Sequence, residues 1–179
     1  MQMNLEIKSI RNKLNKIIKK DDILDVILFG SSIKGKPDPG DIDIAIISEN
    51  EIASDLFNLN GFHFSFLKPL DFFKRRITLL NTLFREGYSL KFNKPFSELY
   101  GFMNKILFIY ELKGLSSSKK VKIVNILRGK KNSRGLVVEN NGNWLANQVF
   151  LTPVNREYIF EKFFVSLEIK FMKHYVLMH

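Results

Sequence analysis

The chain opens with apolar residues at helical spacing. Ile7, Ile10, Leu14, Ile17 and Ile18 fall on one side of residues 4–20, which predicts an amphipathic helix. The period then shortens. "ILDVILF" at 23–29 is a short β-branched run that predicts a buried strand. "GSSIKGKPDPG" at 30–40 predicts a turn or one helical turn, then a loop, because its prolines and glycines forbid regular structure through 37–40. "DIDIAII" at 41–47 is a second strand, and "NEIASDLFNL" at 50–59 a short helix. "GFHFSFL" at 61–67 alternates strictly, placing Phe62, Phe64 and Phe66 on one face of a third strand and His63 and Ser65 on the other. "LDFFKRRITLLNTLFREG" predicts a helix over 70–86 closed by Gly87, with Phe72, Phe73, Ile77 and Leu80 in the core and the bases in water.

Beyond about residue 100 the texture changes. "MNKILFIYELKGL" reads as a strand, and "SSSKKVKIVNILRG" as a helix with a serine cap and Gly129 at its end. "KKNSRG" is a loop, and "NNG" at 140–142 marks a turn. "QVFLTPV" is a strand. "REYIFEKFFVSLE" is a helix with Ile159, Phe160, Phe163, Phe164 and Leu167 on one side, and "IKFMKHYVLM" is a closing strand. This order predicts an α+β protein. A mixed sheet flanked by helices occupies residues 1–100, and a smaller α+β unit occupies 101–179, with the boundary near 95–105. Trp144 is expected to plug the junction between the two.

Composition narrows the class. A chain of 179 residues, 45% hydrophobic and with 17 Phe, can bury a core. With no cysteine, disulfides and thiolate metal sites are excluded. Charges interrupt every apolar stretch before it reaches membrane-spanning length. The N-terminal residues follow helical spacing rather than forming a signal-peptide block. A soluble, cytoplasmic protein with no membrane partner is expected. The net charge of +10 is unevenly held: residues 1–100 carry 15 Lys/Arg against 13 Asp/Glu, and residues 101–179 carry 13 against 5. A basic second half points either to a polyanion such as nucleic acid or to a lysine-rich solvated surface.

The two aspartates on the second strand change the picture most. Side chains at i and i+2 of a strand share a face, so Asp41 and Asp43 point the same way, with Cα atoms roughly 6.5–7 Å apart. Ile42, Ile44 and Ile46 then face the core. Two adjacent carboxylates repel unless something neutralises them, and a divalent cation does so directly. Oxygen ligands without thiols favour Mg²⁺ or Mn²⁺ over Zn²⁺. Gly30 and Ser31 sit where the first strand ends. Glycine lets backbone approach a phosphate, and the serine hydroxyl can donate to one. Ser32 and Lys34 lie in the same turn. The near match of "GSSIKGK" to a P-loop fails at Pro37, which has no hydroxyl for a metal and interferes with the helix a P-loop requires.

"GSSIKGKPDPGDIDIAI" resembles the signature of the nucleotidyltransferase superfamily related to DNA polymerase β: Gly-Ser, a short loop, then Asp-x-Asp on a strand. The likeness covers residues of about 23–95. "LLNTLFREGYSL" is similar to the leucine-rich helix and Glu-Gly ending of small prokaryotic nucleotidyltransferases. The second half resembles the tail of small archaeal proteins carrying this domain. The resemblance implies two-metal nucleotidyl transfer, with Asp41 and Asp43 as catalytic metal ligands for Mg²⁺ or Mn²⁺. Gly30, Ser31, Ser32 and Lys34 would bind the NTP. It also implies a third carboxylate on a later strand. That strand should be "GFHFSFL", where His63 and Ser65 stand on the face concerned; Asp71 follows the strand and Pro69. A catalytically impaired relative that binds nucleotide or nucleic acid is therefore the alternative expectation. Members of this group often pair with a separate helical protein, so a protein partner is also open. For nucleic acid, the candidate contacts are Lys119, Lys120 and Lys122, with Arg128, Lys130, Lys131 and Arg134 in the following loop.

Overall fold

In a computed structural model of the chain, residues 2–36, 40–50, 59–74, 78–130 and 133–179 are described. The predicted N-terminal helix is present in two pieces, α1 (Gln2–Lys13) and α2 (Asn15–Ile18), which meet at the fully buried Leu14. β1 (Ile23–Phe29) leads into a 3₁₀ turn at Gly30–Ser32 and returns as β2 (Ile42–Ser48). The two strands are antiparallel, with Leu28 opposite Ile44 and Phe29 opposite Asp43. β3 (Phe62–Leu67) adds to the free edge of β2 in parallel, pairing Asp43 with His63 and Ala45 with Ser65. α3 (Thr78–Glu86) follows. Then the short strands β4 (Tyr88–Ser89) and β5 (Lys94–Pro95) complete a five-stranded mixed sheet of order β3-β2-β1-β4-β5.

Strand alternation gives this sheet two apolar faces. One face holds Ile27, Ala45, Ile47 and Leu67, packed with Leu80 and Leu83 of α3 and with Phe96. Val26, Leu28, Ile44 and Ile46 turn the other way and are also buried, and α2 packs on β1. Both strands are therefore continuous apolar runs, as doubly covered strands must be. The aspartate face is thus itself core from Ala45 onward; it is not a polar face set against a core of isoleucines.

The helix predicted over 70–86 is shorter than its periodicity suggests. Pro69–Phe73 form a 3₁₀ turn, and the α-helix is described from Thr78. The Asp71 carboxylate accepts from the Lys68 amide at 2.8 Å and from the Lys74 ammonium at 2.6 Å, which stabilises the tight turn at the strand exit. Phe73, expected in the core, is 85% exposed. Ile77 and the helix expected at "NEIASDLFNL" fall wholly or largely outside the described residues.

The chain divides into two units, Met1–Met103 with His179, and Asn104–Met178. The second unit carries a four-stranded sheet of order β7-β8-β6-β9, built from β6 (Met103–Tyr110), β7 (Asn143–Ala146), β8 (Val149–Pro153) and β9 (Phe171–Met178). Its core is a cluster of aromatic rings. Phe108 and Phe150 stack at 5.3 Å, Phe150 meets Phe160 at 4.8 Å, and Phe164 meets Phe171 at 5.0 Å. Ring pairs at such spacings add to the area they bury. α6 (Glu157–Ser166) contributes Phe160 and Phe164 through its predicted apolar side. α4 (Ser117–Arg128) starts at Ser116, whose hydroxyl accepts from the Lys119 amide, and stops at Gly129. α5 (Leu136–Glu139), for which no helix was expected, ends just before the turn predicted at 140–142. Among the described residues, no helix is long and apolar enough to cross a membrane.

Candidate functional site

The strongest sequence signal lands on one hairpin. Because Phe29 faces Asp43 across the β1–β2 ladder, the next residue, Gly30, lies under the aspartate side chain. Gly30 adopts φ +76°, a left-handed conformation that glycine enters without penalty. A Cβ at this position would lie 2.4 Å from Asp43 Oδ2. Only glycine lets the carboxylate settle over the turn. The turn itself is held by Ile33 N donating to Gly30 O at 3.3 Å and Lys34 N donating to Ser31 O at 3.2 Å.

The remaining predicted residues take distinct places. Asp43 is partly exposed, with 31% of its side chain open to solvent. Asp41 stands one residue ahead of β2 and is exposed. Ser31 is half-buried, whereas Ser32 is buried and its hydroxyl makes no hydrogen bond. Lys34 reaches Glu86 at 3.1 Å, fastening the turn to the last residue of α3. Glu86 is 2% exposed and also meets the Arg85 guanidinium at 3.4 Å. Sequence reasoning passed over Glu86. Its signal was its spacing: Leu80, Leu83 and Glu86 form one buried stripe, and a carboxylate on such a stripe calls for a cation.

The third acid is not found on β3. His63 occupies the position beside Asp43, its Nδ1 3.4 Å from Asp43 Oδ1 and its side chain largely exposed. Asp71 lies beyond the other end of that strand and is committed to its own turn. There the Lys74 ammonium, then the Lys68 amide, hold its carboxyl below the usual carboxylate range. Among the described residues, no three His, Asp or Glu side chains gather into a metal cluster. The donors at hand are two carboxylates with open surroundings. They suit Mg²⁺ or Mn²⁺, which take oxygen ligands and keep several water or phosphate oxygens.

The basic candidates lie in the second unit. Lys122, Arg128, Lys130 and Arg134 are exposed, Lys119 and Lys120 are half-buried, and Lys131 lies outside the described residues. The loop after α4 closes on itself. Gly129, at φ +86°, passes so near that a Cβ would lie 2.1 Å from Ser133 O. Arg128 is not a free phosphate ligand: its guanidinium stacks 4.0 Å over Trp144 and donates to Ala146 O and Asn147 Oδ1, each at 3.3 Å. Trp144 was expected at the junction of the units. Its aromatic and cationic neighbours are Tyr110, Phe150 and Arg128, all within the second unit.

Residues 12–85 match the family model described as Polymerase beta, Nucleotidyltransferase. Comparison with curated proteins and with solved structures gives no match. The matched stretch runs from the end of α1 to the penultimate residue of α3, and so contains the whole Gly30–Asp43 hairpin together with His63. Over this stretch, about two-fifths of its length, the chain is similar to the nucleotidyltransferase domain of the polymerase β type.

Proposed function

We propose that the first unit transfers a nucleoside monophosphate from an NTP to a hydroxyl acceptor, with Mg²⁺ or Mn²⁺ held by Asp41 and Asp43. The observation that supports this reading is the Asp43 carboxylate seated over the Gly30 turn. Ser31 and the unpartnered Ser32 hydroxyl are donors for the triphosphate. Lys34, braced by Glu86, places a positive charge beside the same turn. A divalent ion bound there supplies charge neutralisation on the triphosphate and on the attacking hydroxyl. The acceptor's proton falls to His63, whose imidazole stands beside Asp43 and can take a proton or a metal. Residues 1–100 are the transfer domain in this reading, and residues 101–179 a basic domain that meets acceptor or partner.

The test is incubation with labelled NTPs and Mg²⁺ or Mn²⁺, with and without tRNA or a co-expressed protein. Label transfer that disappears in Asp41→Ala and Asp43→Ala supports the proposal. A second reading has one observation in its favour, the histidine where the third acid belongs. It makes the first unit a nucleotide-binding module that regulates or recruits, without transfer. Salt-sensitive binding of RNA or DNA, combined with no transfer under any condition, selects it.

A further inference from the structure

The segment 113–134 carries eight Lys or Arg and no Asp or Glu. α4 brings part of this charge to its outer side. Ile123 and Leu127 are buried beneath the helix, while Ser118, Val121, Lys122 and Ile126 are exposed. This outer side and the loop that follows line a shallow hollow of about 440 Å³. Five of its seven lining residues carry donors, namely Ser118, Lys122, Asn125, Lys130 and Ser133, and none is acidic. Among the described residues, Lys122 and Lys130 take part in no ion pair.

The ends of the loop are braced. Lys130 N donates to Ser133 Oγ at 3.1 Å, and Ser133 N donates to Lys130 O at 2.9 Å. With its oxygen accepting, the Ser133 hydroxyl keeps its own hydrogen to donate to a ligand. Gly135 passes so near Arg128 that a Cβ would lie 2.2 Å from its carbonyl carbon. This closure holds Lys130 and Ser133 beside α4 before any ligand arrives, which spares part of the ordering cost of binding.

Ammonium groups gathered without carboxylates attract a polyanion. Hydroxyl and amide donors between them suit the oxygens of successive phosphates. No ring lines the hollow, and Trp144 is taken up by Arg128, Tyr110 and Phe150, so unpaired bases find nothing there to stack on. A base-paired strand presents its backbone and needs no ring. Ser118, Asn125 and Ser133 accept as well as donate, which lysine does not. That suits a 2′-hydroxyl, itself both donor and acceptor, and so favours RNA over DNA.

We propose that the outer side of α4, with Lys130 and Ser133, binds the sugar-phosphate backbone of base-paired RNA without regard to sequence. The proposal rests on the reading of residues 101–179 as the domain that meets the acceptor only in making that RNA the acceptor. Binding itself needs neither NTP nor metal, so binding and transfer can each fail alone.

The test follows binding of the full chain to a fluorescein-labelled RNA duplex of about 16 base pairs by anisotropy, from about 50 to 200 mM NaCl, with no NTP or divalent ion. Lys122→Gln combined with Lys130→Gln is expected to weaken binding roughly tenfold and to lower the slope of log Kd against log salt by about 2. Lys162→Gln combined with Lys170→Gln removes the same charge from exposed positions elsewhere in the second unit. This control pair is expected to change affinity by less than about threefold, because charges remote from the backbone are screened. All four positions are exposed, so melting temperatures should stay together. The same duplex in DNA, and one RNA strand alone, are expected to bind several-fold more weakly. Ser118→Ala combined with Asn125→Ala is expected to narrow the preference for RNA over DNA. The proposal is overturned if the RNA duplex does not bind, if the two lysine pairs weaken it alike, if the DNA duplex or the single RNA strand binds as tightly, or if Ser118→Ala with Asn125→Ala keeps the preference.

Discussion

Replacing Gly30 with alanine isolates the contact on which the candidate site depends, provided that Gly61→Ala is made beside it. Both glycines are left-handed, at φ +76° and +78°. Alanine at either is disfavoured by about 1–2 kcal/mol, because Cβ crowds the carbonyl in that region. For a unit of about 100 residues this corresponds to roughly 4–8 °C of melting temperature per kcal/mol. The surroundings differ. Around Gly61 a Cβ meets nothing within 4 Å, whereas at Gly30 it falls 2.4 Å from Asp43 Oδ2. The obstructing atom is the tip of a side chain, so the carboxylate swings away and the added stability loss is small. The two variants should therefore melt at similar temperatures and differ in function. Displacing a metal ligand by about 1 Å is expected to lower transfer on the order of 100-fold in Gly30→Ala. Mn²⁺-induced broadening of the His63 resonances should weaken in parallel, and Gly61→Ala should keep both. If Gly30→Ala binds Mn²⁺ and transfers label as well as Gly61→Ala does, the carboxylate does not work from above the turn.

Lys34→Ala removes one of the two cations, Lys34 and Arg85, that meet the buried Glu86 carboxylate. It should lower stability in urea by about 1–2 kcal/mol, with an unchanged m-value, while Lys36→Ala stays within about 0.5 kcal/mol. Arg128→Lys removes a planar cation from Trp144, the one tryptophan of the chain, so intrinsic fluorescence should shift while stability falls by about 0.5–1 kcal/mol. Asp25 gives a pH signature. Burial, opposed by the Ser89 hydroxyl and nearby amides, raises its folded-state pKa above 3.8, so the folded chain binds this proton more tightly than the unfolded one. Its contribution is therefore most favourable below the unfolded pKa and declines as pH rises through the folded value. The melting temperature of Asp25→Asn relative to the parent should rise over that interval and level off above it.

Legibility tracked the range of the physics involved. Asp43, Gly30 and the β1–β2 pairing were readable because i, i+2 alternation and a glycine-serine turn are local properties. The first sheet's two-sided burial was harder, since Ala45 and Ile47 beside Asp43 reveal their neighbours only once α3 is laid over them. Phe73 was misplaced because helical spacing was carried back to Leu70, where a side-chain-capped 3₁₀ turn takes its place. The neighbours of Trp144 could not be read without a register. Gln148 takes φ +63° in the β7–β8 hairpin, and that turn sets Trp144 opposite Phe150. Glu86 lay in plain view on a leucine stripe, but its partner Lys34 is 52 positions away, and no local pattern joins them.

The connectivity of the first sheet has a functional corollary. Gly30 and Asp43 belong to one antiparallel hairpin and assemble whenever β1 and β2 zip together, whereas His63 arrives on a strand added in parallel from further along the chain. In the proposed reading, the nucleotide grip and the proton acceptor thus sit on separate pieces of scaffold. If that reading holds, substitution at position 63 should alter turnover while leaving the Gly30–Asp43 hairpin, and any binding it supports, intact.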